Sequence, residues 1–342
     1  MSDLDPVALG RWLAAKLPGG DLRTERIGGG QSNPTWFVDW GSARLVLRKK
    51  PAGPILPGAH AIEREFRVLR ALERTDVPVP QAFWLEEGET ILGTPFYLME
   101  RLEGRVFTDC TLPGLAPEER REIYLDMART LARLHAVRPE AVGLVDYGKP
   151  GNYFERQINR WGRQYRESPG GVVPALDRLL DWLIAYMPED DGAVSIAHGD
   201  FRLGNMLFHP TEPRVIGVLD WELSTLGHPL ADLGFCVMPW HTGPDEYGGI
   251  HGTGWQAAGI PTRAEFEAEY HAHAIPTPPL AAFHVAFALF RFAVIFVGIA
   301  DRARAGNAAS AEAATLAPLA ERFAIRALEG IDAARLTTLQ DA

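Results

Sequence analysis

The sequence predicts an α+β fold in two unequal parts, a small β-rich one over residues 1–101 and a larger, mainly helical one over 102–342. Three observations predict it. The first hundred residues carry several β-prone runs punctuated by glycine and proline, with one helical stretch set among them. After Gly104 the apolar residues recur at helical spacing in segment after segment. Strands and helices do not alternate as βαβ units, which argues against a doubly wound parallel sheet. A chain of 342 residues has the length for two such parts.

The elements follow in order. Residues 6–17 hold Val7, Leu9, Trp12, Leu13 and Leu17 at helical spacing and stop at Pro18-Gly19-Gly20. A strand-like run over 26–33 is broken by Gly28-Gly29-Gly30. Runs at 35–40 and 43–50 flank Gly41-Ser42 and predict a hairpin. Residues 51–57 read as loop. A helix over 60–72 carries Ile62, Phe66, Leu69 and Leu72, and Pro78 and Pro80 close it. Strands are expected at 81–86 and 90–100. Helices are expected at 117–136, 152–166, 174–187, 263–273, 278–300 and 308–338, around a short, mostly β and loop stretch at 194–235.

Composition excludes some functions. Lys and Arg number 34 against 44 Asp and Glu, a net charge of −10. So acidic a chain repels phosphate on average, which disfavours nucleic acid and anionic membrane as partners. A nucleotide would need local positive groups and a metal. Cys110 and Cys236 lie far apart with no CxxC spacing, and read as reduced thiols of a cytoplasmic protein. The acidic first residues show no signal-peptide pattern. Residues 280–300 are apolar enough to mimic a membrane span, but His284 and Arg291 would sit within it. They are expected to form a buried core helix with Arg291 paired internally.

The chemistry lies at 195–235. His198-Gly199-Asp200 is followed by Asn205, five residues after Asp200. The apolar run 215–219 then leads into Asp220-Trp221-Glu222. Phosphoryl transfer needs a carboxylate to orient the acceptor hydroxyl and take its proton, and oxygen ligands for Mg²⁺. Asp, Asn five later, then Asp at a strand end supplies those groups in order.

The strings HGDFRLGNMLFHP and VIGVLDWELSTLGHPLADLGF closely resemble the aminoglycoside phosphotransferase family, small-molecule kinases with a protein-kinase-like two-lobed fold. Within that family, LVLRKKP, HAIEREFRVLRAL and LMERLEGR look most like the kinase-like domain fused to some acyl-CoA dehydrogenases. The resemblance runs from about Ile27 to Arg302. It implies a nucleotide-binding lobe over 1–101 and a catalytic and substrate-binding lobe over 102–342. In the catalytic set it places Asp200 as catalytic aspartate, His198 as the motif histidine that braces the loop, and Arg48 offsetting charge. Asn205 and Asp220 match the metal ligands, Asp232 a structural aspartate holding catalytic-loop backbone. ATP and Mg²⁺ are the implied cofactors.

On the nucleotide side, Gly28, Gly29 and Gly30 sit where backbone amides reach phosphate, with Ser32 or Asn33 as further donors. The run Val46-Leu47-Arg48-Lys49 offers Arg48 or Lys49 as the strand cation; a V-A-I-K-like register favours Arg48, with Val46 against the adenine and Lys49 on the other face. Glu65 is the matching helix acid and Glu63 its competitor. Residues 99–104 resemble the hinge, where the main chain of Glu100 and Leu102 would meet the adenine.

The reading is therefore an ATP- and Mg²⁺-dependent kinase for a small-molecule hydroxyl, with a nucleotide-binding module that transfers nothing as the alternative. A cationic aminoglycoside would want the carboxylates Asp245, Glu246, Glu265, Glu267 and Glu269. The dehydrogenase-linked resemblance suggests a hydroxy acid or hydroxyacyl acceptor, in a pocket lined by Trp161, Tyr165, Trp240 and Phe287.

Overall fold

The computed structural model describes residues 4–28, 33–52, 61–149, 151–304 and 315–340. Its first helix, α1 (Pro6–Ala14), starts on Asp5, whose carboxylate accepts from the amides of Val7 and Ala8. Five strands then build one antiparallel sheet: β1 (Leu22–Arg26), β2 (Thr35–Trp40), β3 (Ala43–Lys49), β4 (Ala82–Glu86) and β5 (Phe96–Glu100). Their order is β1-β2-β3-β5-β4, with helix α2 (Ile62–Leu72) between β3 and β4 in the chain.

The pleat sorts the side chains of this sheet. Trp36, Val38, Trp40, Leu45, Leu47 and Leu98 pack with Leu9 and Leu13 of α1. Val46, Tyr97 and Met99 instead join the core shared with α2 and the helical lobe. Arg48 follows Val46 by two residues and therefore shares its face, with Lys49 on the other. α2 is fastened to the second lobe by two arginines. Arg64 donates to the carbonyls of Tyr147 and Ser224 at 2.8 and 3.3 Å, and Arg67 to that of Gly143 at 2.8 Å.

The second lobe is helical: α3 (Pro117–Ala136), α4 (Tyr153–Arg166), α5 (Pro174–Ala185), α6 (Pro229–Cys236), α7 (Arg263–His273), α8 (Ala282–Arg304) and α9 (Leu319–Gln340). Two small antiparallel pairs interrupt it, β6 (Ser195–Ala197) with β9 (Thr225–Gly227) and β7 (Met206–Phe208) with β8 (Val215–Val218).

α8 is the one helix among the described residues long and apolar enough to cross a membrane, and 78% of its most apolar window is buried inside the protein. It packs against α4, α5, α6 and α9. Arg291 is 7% exposed, as the internal pairing expected of it requires.

Three expectations need correction. The strand placed at 26–33 lies earlier, at Leu22–Arg26. The one placed at 90–100 is confined to Phe96–Glu100, because a turn around Gly93 at φ +78° precedes it. The stretch 194–235 also ends in a helix, α6.

Candidate active site

The site is built where short strands end. β6 ends at Ala197 and the chain turns through His198-Gly199-Asp200. Gly199 lies at φ +83°, and a Cβ there would meet the carbonyl oxygen of Leu223 at 2.7 Å, so no other residue fits. Its peptide neighbours are held from two sides. Asp232, on α6, accepts from the amides of His198 and Gly199 at 2.6 and 2.9 Å. From α8, the Arg291 guanidinium donates to the Gly199 carbonyl.

Asp232 is fully buried and titrates below the usual carboxylate range. Burial opposes this, and the hydrogen bond and charge of His135 and the field of His198 outweigh it. His135 Nε2 lies 3.5 Å from Asp232, and its Nδ1 meets the Tyr270 hydroxyl at 2.8 Å.

The backbone of one residue knits the loop to the second aspartate. The Leu219 amide donates to the Asn205 carbonyl at 2.8 Å, and the Leu219 carbonyl accepts from His198 Nε2 at 2.9 Å. The next residue is Asp220, in the left-handed region at φ +65°, ψ +65°. This costs a non-glycine residue on the order of 1 kcal/mol or more and marks a constrained functional turn.

Asn205 Nδ2 donates to the Asp200 carbonyl and carboxylate at 2.9 and 2.7 Å. The Asn205 amide therefore keeps its Oδ1 for a ligand that wants a hard oxygen. Asp200, Asn205 and Asp220 are thus brought together.

Arg48 crosses from the sheet to meet them, with Nη2 3.1 Å from Asp220 Oδ1 and Nε 2.9 Å from Glu65 Oε2. Burial works against its charge, and the fields of Tyr97, Glu65 and Asp220 overcome it, holding the guanidinium above its ordinary range. Glu65 is 1% exposed. Its carboxylate also accepts from Asn33 Nδ2 at 2.5 Å and the Tyr97 hydroxyl at 3.0 Å. Burial pushes this carboxyl up, and Arg48 pulls it back. Glu63 is exposed, which settles the choice between the two acids.

His198 is fully buried, with Nε2 on Leu219 and Nδ1 accepting from the Asp200 amide at 3.2 Å, so its contacts are those of a loop brace within the catalytic set. One expected role changes. Asn33 spends its amide donor on Glu65, not on a phosphate. Gly28 sits just past β1 with open space about it. Gly29, Gly30 and Ser32 lie outside the described residues. Val46 lies opposite Met99 of β5. Glu100 ends β5, and Leu102 lies against Gly217 of β8, beneath the expected hinge.

Beside Arg202, Leu203 and Gly204 a narrow cleft opens, about 640 Å³ counting the part open to solvent. Its walls include Cys110, Met127, Phe235, Cys236, Tyr247 and Phe292. Trp161, Tyr165, Trp240 and Phe287, expected to line the acceptor pocket, do not line this cleft. Phe287 is packed into the core against Tyr153 and Phe154. Both cysteines line it, and burial pushes the Cys110 thiol up to about 11.

The five carboxylates considered for a cationic acceptor are each taken by arginine. Asp245 lies 2.7 Å from Arg322, Glu246 2.9 Å from Arg326 and Glu265 2.9 Å from Arg121. Glu267 lies 2.6 Å from Arg263 and Glu269 2.8 Å from Arg129.

Two lobes around such a constellation define a small-molecule phosphotransferase with a kinase-like fold. Residues 23–275 match the Phosphotransferase enzyme family, and the chain belongs to it. It is 43% identical over 300 residues to the mouse protein named acyl-CoA dehydrogenase family member 10, covering 86% of this chain and 28% of that one. It is 43% identical over 333 residues to the Arabidopsis thaliana protein named probable acyl-CoA dehydrogenase IBR3, covering 91% and 40%. The chain therefore spans well under half of these relatives.

A Ralstonia eutropha crystal structure whose name places it among aminoglycoside phosphotransferases superposes with TM-score 0.86 at 45% identity, over 97% of this chain and 99% of that one. An aminoglycoside phosphotransferase solved with AMP-PNP and hygromycin B shares the fold, with TM-score 0.64 at 14% identity over 94% and 98%.

Proposed function

We propose that this phosphotransferase moves the γ-phosphoryl group of ATP, with Mg²⁺, onto the hydroxyl of a small hydroxy acid or hydroxyacyl compound. The observation that carries the transfer is the Leu219 backbone, which ties His198 and Asn205 to the residue before Asp220.

Asp200 accepts the acceptor's hydroxyl proton as the new O–P bond forms and the bond to the β-phosphate oxygen breaks. Asn205 Oδ1 and Asp220 have the oxygen chemistry Mg²⁺ prefers. No three His, Cys, Asp or Glu side chains cluster as a metal cage among the described residues, so most ligands would be phosphate and water. Mg²⁺ there would neutralise charge on the transferring phosphates. Arg48 adds a fixed cation from the sheet side, and Val46, Glu100 and Leu102 frame the adenine. Most of the rate gain rests on positioning and preorganised charge.

Two observations favour the acceptor class. The arginine-paired carboxylates give a polycation little to bind, and the cleft beside Asp200 is mostly apolar. The names of the dehydrogenase relatives point toward acyl chemistry as well. The test is ADP release with 3- and 4-hydroxy acids, their CoA esters and aminoglycosides as acceptors. Turnover with hydroxy acids or esters and none with aminoglycosides is expected. Turnover with aminoglycosides alone would overturn the acceptor assignment, and no ADP release with any acceptor would favour a module that only binds nucleotide.

A further inference from the structure

The cleft beside Asp200 carries one basic side chain among its described lining residues, Arg202. The cleft's acidic lining residue is Glu246, 3% exposed, and it is already spent. Arg322 and Arg326 of α9 lie 3.1 and 2.9 Å from it, and the Gly243 amide donates to it at 2.7 Å.

Arg202 is placed differently. Its Nε lies 3.3 Å from Asp200 Oδ2, a long contact, and its side chain is 42% exposed. Nη1 lies over Gly204, where a Cβ would come within 2.8 Å. Burial opposes the charge on Arg202, and the fields of Asp200 and Tyr247 outweigh it, so the guanidinium stays cationic at any working pH. A mostly apolar cleft with one cation in its lining, 3.3 Å from the carboxylate proposed to take the proton, fits a molecule carrying an anion and a hydroxyl on one short chain.

Resting on the acceptor reading above, we infer that Arg202 is the specificity residue that binds the carboxylate of a free hydroxy acid and so brings its hydroxyl to Asp200. An arginine fork makes two parallel hydrogen bonds to a carboxylate. A neutral amide or ester of the same chain offers no such partner. The arginine then anchors the acceptor within reach of the carboxylate it already contacts.

The experiment compares a hydroxy acid with its primary amide, a neutral molecule of nearly the same shape, in the wild type, Arg202→Met and Arg202→Lys. The wild type should prefer the acid by about 10- to 100-fold in kcat/KM, the range of a hydrogen-bonded charge pair. Arg202→Met should abolish that preference, chiefly through KM for the acid, while KM for ATP stays within about twofold, the scatter expected of a residue that does not touch nucleotide. Arg202→Lys should keep part of the preference.

Equal losses with acid and amide in Arg202→Met would mean that Arg202 serves only Asp200, and would overturn the inference while leaving the hydroxy-acid reading intact. A wild type that takes amide or CoA ester as readily as free acid would overturn it too. A wild type that turns over no hydroxy acid or ester would sink the acceptor reading and this inference together.

Discussion

The two sides of the candidate site are made of opposite materials. On the phosphate side, charged and polar groups from distant parts of the chain neutralise one another. Arg48, Glu65, Tyr97, Asn33 and Asp220 form one connected cluster, and Asp232 with Arg291 grips Gly199 from behind. On the acceptor side, side chains from α3, α6, α8 and the loop 242–249 line a mostly apolar space that has one cation, Arg202, among its described lining residues. In the proposed reaction the first side would hold the triphosphate. The second offers only shape and one charge, so on the proposed reading acceptor choice would be set there.

Three substitutions break or sharpen that contrast. The largest effect is expected of Asp200→Asn. It should lower kcat by roughly 10²- to 10⁴-fold, the range of a positioned general base, and leave ATP affinity within a few fold; steady-state kinetics with nucleotide-binding titrations checks both. Retention of near-normal turnover would remove the phosphate side's central assignment.

Arg291→Met should come next. It leaves the buried Gly199 carbonyl without its donor, at a cost of ~1–3 kcal/mol by chemical denaturation. It should also lower kcat by about tenfold, since a loop displaced by a fraction of an ångström misaligns Asp200. KM for both substrates should hardly move. A lost Tm with an unchanged kcat would make Arg291 a packing residue alone.

Glu246→Gln is the mildest and tests the other side. Loosening loop 242–249 should raise the acceptor KM several-fold, on the order of the 1 kcal/mol that one partly exposed ion pair contributes, and leave the ATP KM unchanged. Burial raises the Glu246 pKa, but the hydrogen bonds from Arg326 and the Gly243 amide more than offset it, so the carboxyl titrates below its ordinary 4.5. The sign follows: the clamp's contribution is complete above that ordinary value and is lost as pH falls through the lower folded value. The wild-type acceptor KM should therefore stay level from pH 8 down to about 5 and rise only in more acid solution.

Legibility in the sequence divides along the same line. Asp200, Asn205, Asp220 and Asp232 fall within forty residues at fixed spacing, and a two-residue period favours Arg48 over Lys49, so the residues that the structure gathers there were legible. The acceptor side gave no such signal. Cys110, Arg202, Phe235, Tyr247 and Phe292 come from five places, and nothing local tells a cleft-lining Phe292 from a core-filling Phe287.

Among the elements, β1 was misplaced because Leu22–Arg26 is an edge strand whose side chains are nearly all exposed, leaving no alternation to detect. α6 was missed because all eight of its residues are buried, and an all-buried helix of two turns shows no polar face. Arg291 could be expected to find a partner, but the sequence could not say that the partner was the peptide beside Asp200.

The fastening of loop 242–249 to α9 makes that portion of the cleft lining a transferable part. Arg322 and Arg326 reach back some eighty positions to hold Glu246, and neither appears in the cluster around Arg48. Exchanging the loop and α9 together between homologous chains would carry over a matched lock-plate and bolt, and should retune which alcohols are taken without disturbing the engine that handles the triphosphate.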